Sequence, residues 1–105
     1  MPAYIGLLID IHDHAAFTNY AQAAAPTYPP YGGSVALRGP IVEVIEGTLQ
    51  IGHDTRLVVL QFPSLEQARA WWESEAYRPL IQLRQPPVSD SRIFLVDGID
   101  LGKQR

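Results

Sequence analysis

The opening segment carries apolar residues on both faces of a predicted strand, Ala3 to Ile11. The odd positions from 5 to 11 are aliphatic, and Tyr4 and Leu8 occupy the other face. A strand that is apolar on both faces is typical of a central position in a sheet. After this strand the apolar positions recur with the spacing of a helix. Asp13 is expected to cap this helix, which runs to about Ala25. Its core-facing positions recur at helical spacing: Phe17, Tyr20, Ala21 and Ala24.

Two further strands are predicted in the middle of the chain. The first covers Ser34 to Glu46 and is interrupted at Gly39–Pro40. Because proline lacks a backbone donor, this pattern predicts an edge strand with a bulge or kink. A loop is expected from Gly47 to Asp54, and the next strand runs from Arg56 to Phe62.

A second helix follows the third strand, because Ser64 and Gln67 have the spacing of a capping box. This helix is expected to end near Glu73. A shorter helical segment then ends at Arg84, and the last strand covers Ser91 to Val96. The apolar stripe of the second helix consists of Leu65, Ala68, Trp71 and Trp72.

The element order βαββαβ predicts a single α+β domain over residues 1–105, of the ferredoxin-like type with a four-stranded antiparallel sheet. The first and third strands are expected in the middle, with both helices on one face. The other face of two apolar central strands would then meet water. We therefore predict a homodimer in which two sheets pack face to face.

Composition narrows the classes of partner. The formal net charge of −3 disfavours nucleic acid, which needs a basic surface. With no cysteine, disulfides, thiolate nucleophiles and cysteine-ligated metals are excluded. Asp10 breaks the apolar N-terminal run, which is therefore expected to be a strand and not a signal peptide. No apolar run has the length of a membrane span, so a cytoplasmic protein is expected.

Polar residues near the strand ends are the first candidates for chemistry. The first and third strands are expected to run parallel, so Asp10, His12 and Gln61 should share one edge of the sheet. The oppositely directed strands then add their own residues there: Ser34, Arg38 and Arg92. His12 is the expected general base, oriented by Asp10, because an imidazole titrates near neutral pH. The alternative is that these side chains only form strand-end caps and surface ion pairs.

Further candidates lie along the second strand and the second helix. We expect Arg38 to bind the anionic end of a substrate, and Glu46 either to contact the ligand or to form an intersubunit salt bridge. Adjacent helical residues point about 100° apart, so one tryptophan of the pair should be core and the other a pocket or interface residue. The aromatic candidates for ligand binding are Trp71 and Tyr77, with Arg84 closing the same region.

The sequence Asp10-x-His12-Asp13-His14 also raises a metal site, since imidazole and carboxylate suit zinc or iron. His14 is expected to begin the helix, however, which breaks the period of two that would align it with His12. His53 is expected in a loop at the far edge of the sheet. We therefore expect neither a metal nor a cofactor.

Several segments together resemble one family: AYIGLLIDIHD, GGSVALRG, VEVIEG, RLVVLQFPSLEQARAWWESEAY and SRIFLVDG. The chain is similar to the domain of unknown function 1330 family, in the dimeric α+β barrel superfamily. The resemblance implies a ferredoxin-like fold, a dimer and pockets between sheet and helices. The wider superfamily includes cofactor-independent monooxygenases, isomerases, haem-binding proteins and small ligand binders. Pro40 stands where that family tends to have a second glycine.

Three functions remain open from the sequence. The first is a small-molecule enzyme that uses His12 as acid or base and Arg38 or Arg92 to hold an organic acid. The second is a non-catalytic ligand-binding or regulatory dimer with the same pocket. The third is a subunit that binds proteins through an exposed apolar edge. Asp10, His12 and Arg38 in one cavity would favour the first, whereas an apolar pocket would favour the second.

Overall fold

The computed structural model describes residues 1–98 and contains the predicted four-stranded antiparallel sheet and two helices. The main elements are β1 (Ala3–Ile11), α1 (His14–Ala24), β2 (Ser34–Pro40), β3 (Thr55–Phe62), α2 (Leu65–Trp72) and β4 (Ser89–Asp97). Short 3-10 segments lie at Ala25–Thr27, Pro29–Tyr31 and Arg78–Leu83. The strand order is β2-β3-β1-β4, so the ferredoxin-like fold and the central position of β1 and β3 are confirmed.

The direction of β3 corrects the expected sheet edge. β1 and β3 are antiparallel, with Asp10 opposite Thr55 and Tyr4 opposite Gln61. The reason is topological: the helical crossover leaves β2 parallel to β1, and β3 then returns antiparallel to β2 and lies between them. Gln61 and its partner Ser34 therefore lie at the edge opposite Asp10.

β2 is shorter than predicted and ends at Pro40. The backbone N–H of Ile41 still donates to the carbonyl of Thr55 at 2.8 Å, and the pairing of β2 with β3 then stops. The irregularity in this edge strand falls between Val35 and Leu37, not at Gly39–Pro40. Residues 41–54 form a long connector, in which the side chain of Ile45 is 92% exposed.

Local signals place the two helices as predicted. The Asp13 carboxylate accepts the N–H of Ala16 at 3.0 Å, and the Ser64 hydroxyl accepts the N–H of Gln67 at 3.1 Å. Each bond satisfies a backbone donor that a helix start leaves without a partner. Both helices lie on the face of the sheet that carries Ile5, and the core forms between them.

The opposite face, here called the open face, has no covering element among the described residues. Direct partners in antiparallel strands share a face, which fixes its members from the register. Gly6 leaves a gap in this face that the ring of Phe94 fills, since an added Cβ would lie 2.1 Å from that ring. The apolar side chains of the open face are half-buried or exposed: Tyr4, Leu8, Leu37, Leu57, Val59, Phe94 and Val96.

Candidate functional site

A cavity of about 380 Å³ opens between α2 and β4 on the helix-covered side of the sheet. Its volume lies in the range of small-molecule sites. Most of its lining is apolar, and its two charged residues, Arg69 and Glu73, are exposed and lie at the rim. The remaining lining residues are Ile5, Ala68, Trp72, Ile93, Phe94 and Leu95.

A second cavity of about 80 Å³ lies between α1 and the β2–β3 side of the sheet. It is bordered by Arg38, Tyr20 and Trp71 among mainly aliphatic residues. A water molecule occupies about 30 Å³ in the liquid, so this space suits a few waters and not an organic ligand. Arg38 thus borders the smaller cavity, and the larger one lies elsewhere.

Buried polar groups form a continuous cluster between the two helices and β4. The hydroxyls of Tyr20 and Tyr77 are 2.8 Å apart. The guanidinium of Arg84 donates to the Tyr77 hydroxyl at 3.4 Å and to the Ser91 hydroxyl at 2.7 Å. Arg84 is only 4% exposed, and the hydroxyl of Ser89 donates to its backbone carbonyl.

The environment of this cluster favours the neutral form of the Tyr20 phenol and the charged form of the Arg84 guanidinium. Burial raises the pKa of the Tyr20 phenol far above its ordinary value near 10, and the neighbouring Tyr77 raises it further. Burial works against the charged form of Arg84, but the oxygens of Tyr77 and Tyr20 outweigh it, and the pKa of Arg84 is raised. The cluster therefore presents a cation beside two hydroxyls.

The tryptophan pair divides between core and cavity. Trp71 is 1% exposed, donates its indole N–H to the Thr27 hydroxyl at 2.9 Å, and packs with its ring centroid 4.1 Å from that of Tyr77. Trp72 lines the larger cavity, and the Arg84 guanidinium carbon lies 6.0 Å from its ring centroid. The sequence predicted this division, but it named Trp71 as the binding residue and not Trp72.

His12 lies at the edge of the sheet where β1 ends and β4 begins. Its Nε2 is 2.9 Å from a carboxylate oxygen of Asp90 and 4.0 Å from one of Asp10. The hydrogen bond to Asp90 raises the pKa of His12, a partial loss of solvation lowers it slightly, and the charge of Asp10 adds to the rise. The carboxylate of Asp10 also accepts from the Thr55 hydroxyl at 3.4 Å.

The other two histidines also lie near this edge and have separate surroundings. His14 Nε2 is 3.0 Å from Asp54, whose carboxylate receives two bonds from Arg56 at 3.1 and 3.0 Å. These bonds lower the pKa of Asp54. His53 is next to Asp54 and therefore lies at this edge, not at the far one, because β3 starts here. Within residues 1–98 no three His, Asp or Glu side chains converge on a metal position.

The predicted site residues are therefore split among several places. Asp10 and Arg92 belong to the open face, since Arg92 stands opposite Leu8, whereas Arg38 stands opposite Val58 on the helix-covered face. The expectation that these three form one group is wrong, because Arg38 lies on the other face of the sheet from Asp10 and Arg92. Glu46 is exposed in the connector. The structure brings together Trp71, Tyr77 and Arg84 in the buried cluster, and His12 and Asp10 at the sheet edge.

Sequence reasoning missed two features of this region. Asp90, at the start of β4, is the main partner of His12, and Ser91 is a partner of Arg84. Antiparallel pairing of β1 with β4, which places Asp90 opposite Asp10, would have identified the first. The lining of the larger cavity mixes residues from three elements, and no local signal groups them.

No helix among residues 1–98 is long and apolar enough to cross a membrane.

Solved structures with the same fold are more informative about architecture than about activity. A protein of unknown function from Rhodopseudomonas palustris superposes with a TM-score of 0.75 at 20% identity, covering 93% of this chain and 82% of that one. SnoaB, a cofactor-independent oxygenase from Streptomyces nogalater, gives 0.66 at 11% identity, covering 93% of each chain. A dimeric ferredoxin-like protein of unknown function from Thermobifida fusca gives 0.63 at 16% identity, covering 93% and 92%.

These similarities agree with the architecture derived from the sheet order and the helix positions. No curated protein matches the chain. The model of one family, described as a domain of unknown function, matches residues 2–99. That match covers all the segments on which the resemblance in the sequence depended. The chain belongs to the DUF1330 family.

Proposed function

We propose that this protein binds a small organic acid in the cavity between α2 and β4. The observation that carries the proposal is the cavity itself, with a volume of about 380 Å³ and a mostly apolar lining. Such a site holds the apolar body of a ligand and leaves a few polar groups to orient it. Trp72 offers a flat wall for a ring or a planar chain.

We also propose that the protein acts as a homodimer through the open face. A contiguous apolar surface of this kind marks an interaction site in a monomer. The similar protein from Thermobifida fusca, which is dimeric, supports this arrangement. Two open faces packed together would leave the cavity between α2 and β4 accessible, because the cavity lies on the other side of the sheet.

Ligand binding is preferred over catalysis by His12. The imidazole is bonded to Asp90 at the sheet edge and is not among the residues that line the cavity. The similarity to SnoaB, a cofactor-independent oxygenase, is at 11% identity and supports the fold alone. If the protein turned over a bound acid and His12→Ala abolished that turnover, the hypothesis of an enzyme would be preferred instead.

A thermal-shift screen with small organic acids and their neutral amides tests the proposed binding. We expect at least one compound to raise the melting temperature, because a ligand at 100 times its dissociation constant stabilises by about 2.7 kcal/mol. Leu95→Trp should fill the cavity and remove the shift. Leu83→Trp is the matched control, since Leu83 is similarly exposed, at 41% against 36% for Leu95, but lies outside the cavity. Equal shifts in both variants would place the ligand elsewhere.

A further inference from the structure

We propose that Arg84 is a concealed carboxylate-binding group, which receives the acidic end of a ligand whose apolar body occupies the cavity between α2 and β4. This inference rests on the proposed function, since it assigns the chemistry of that same site. It concerns a residue that does not line the cavity in the unliganded protein. The side chain of Trp72 lies between Arg84 and the cavity.

Arg84 carries a buried positive charge with no ion-pair partner among the described residues. Among residues 1–98 the ion pairs involve only histidines and Arg56 as cations, and none includes Arg84. Its Nε is buried and has no hydrogen-bond partner in the part of the chain that the structure describes. Burying a charge away from an opposite charge is costly, and among the described residues this loss of water is offset by hydroxyls and by the rings of Tyr20 and Trp72, whose centroids lie 5.7 and 6.0 Å from the guanidinium carbon. The neutral hydroxyls of Tyr77 and Ser91 supply hydrogen bonds but no negative charge.

The guanidinium of Arg84 also lies next to residues that line the cavity. Ser91, which accepts from Arg84, and Ile93, which lines the cavity, are two residues apart and share one face of β4. Trp72 lines the same cavity and lies against the guanidinium from the other side. A modest rotation of the partly buried Trp72 side chain would join the guanidinium to the cavity.

The shape and chemistry of Arg84 and its neighbours suit a carboxylate. A guanidinium binds a carboxylate through two parallel N–H bonds, and Nε is one of the donors of such a fork. The hydroxyls of Tyr20 and Tyr77 lie beside it, and a tyrosine hydroxyl can donate to a carboxylate oxygen. The apolar lining beyond Trp72 fits a single hydrocarbon or aromatic group. The ligand class is therefore a monocarboxylate with an apolar body.

Benzoate and its neutral amide, benzamide, are the probes, measured by calorimetric titration against the full chain. Wild-type protein should bind benzoate at least 10-fold more tightly than benzamide. Arg84→Met should reduce benzoate affinity at least 10-fold and leave benzamide affinity unchanged. The unliganded Arg84→Met protein should melt no lower than wild type, because an apolar isostere removes the unpaired charge. Arg78→Met, at an exposed arginine of the same 3-10 segment, should bind benzoate like wild type.

A purely structural Arg84 predicts the opposite results. Arg84→Met would then melt several degrees lower, and benzoate would bind wild type no better than benzamide. Either result overturns the inference. If Arg84→Met does not fold, Arg84→Lys replaces it in the test. Lysine keeps the charge but lacks the two parallel N–H donors of the guanidinium, so benzoate affinity should still fall. If neutral amides bind and Leu95→Trp blocks them while Arg84 variants bind every acid normally, the proposed function stands and this inference fails.

Discussion

At the scale of single residues, the hydrogen bond to Asp90 is the largest cause of the raised pKa of His12. Asp90 is nearer than Asp10 and contributes more to the raised pKa of the imidazole. A histidine whose folded pKa exceeds its unfolded value near 6.5 stabilises the fold below pH 6.5. That contribution is lost as the pH rises through the folded pKa. Both side chains are solvent-exposed, so salt should weaken the effect.

Nuclear magnetic resonance titration of the ring protons checks this assignment. The pKa of His12 should lie above 6.5 in wild type and fall toward 6.5 in Asp90→Asn. Asp10→Asn should cause a smaller fall, because its carboxylate is 4.0 Å from Nε2 against 2.9 Å for Asp90. A larger fall in Asp10→Asn would show that Asp10 is the main partner.

The sequence suggested Asp10 for this role because the two residues lie two positions apart on one strand. Proximity in sequence is a weak guide here, since Asp90 is 78 positions away and reaches His12 only through the pairing of β1 with β4. Arg84 differs: its helical segment follows the Trp71–Trp72 helix directly, and the prediction that it joins Tyr77 needed no knowledge of strand direction.

At the scale of elements, local signals predicted starts better than ends. Asp13 and Ser64 cap helices as expected, because a cap depends on a few adjacent residues. The end of β2 was misplaced because a strand continues only while a neighbour pairs with it, and the apolar run after Pro40 has no such neighbour among the described residues. The direction of β3 is likewise decided by the whole chain path.

Ser64→Ala tests the contribution of a single cap. Loss of the bond to the N–H of Gln67 should cost about 1 kcal/mol. For a domain of this size that corresponds to a fall of about 4 to 8 °C in the melting temperature. Ser64→Asp retains an acceptor and should melt near wild type. An unchanged melting temperature in Ser64→Ala would mean that water replaces the cap at no cost.

At the scale of the molecule, the radius of gyration of 14.5 Å exceeds the value of about 13 Å expected for a compact chain of this length. Within residues 1–98 the sheet is covered on one side only, and the molecule extends 15 Å along its thinnest axis. A second copy on the open face would make the structure thicker and cover the apolar side chains that the monomer leaves in water.

Sedimentation at micromolar concentration should therefore give twice the chain mass of 11.7 kDa. Val59→Glu, in the middle of the open face, should shift the protein toward monomer, because burying an unpaired carboxylate is costly. Ala70→Glu, on the exposed side of α2, adds the same charge away from that face and should remain dimeric. A Val59→Glu variant that stays dimeric would exclude the open face as the interface.

The division of the two adjacent tryptophans also supplies an optical reporter. Trp72 lines the cavity and lies near the Arg84 guanidinium, so its emission should change whenever either neighbour is disturbed. Trp71 is enclosed, but its ring centroid lies 6.3 Å from that of Trp72, close enough for the two indoles to exchange excitation energy. The fluorescence of the chain's two tryptophans therefore reports on the cavity as a coupled pair. A spectral change on adding a compound that Trp72→Phe abolishes would belong to Trp72.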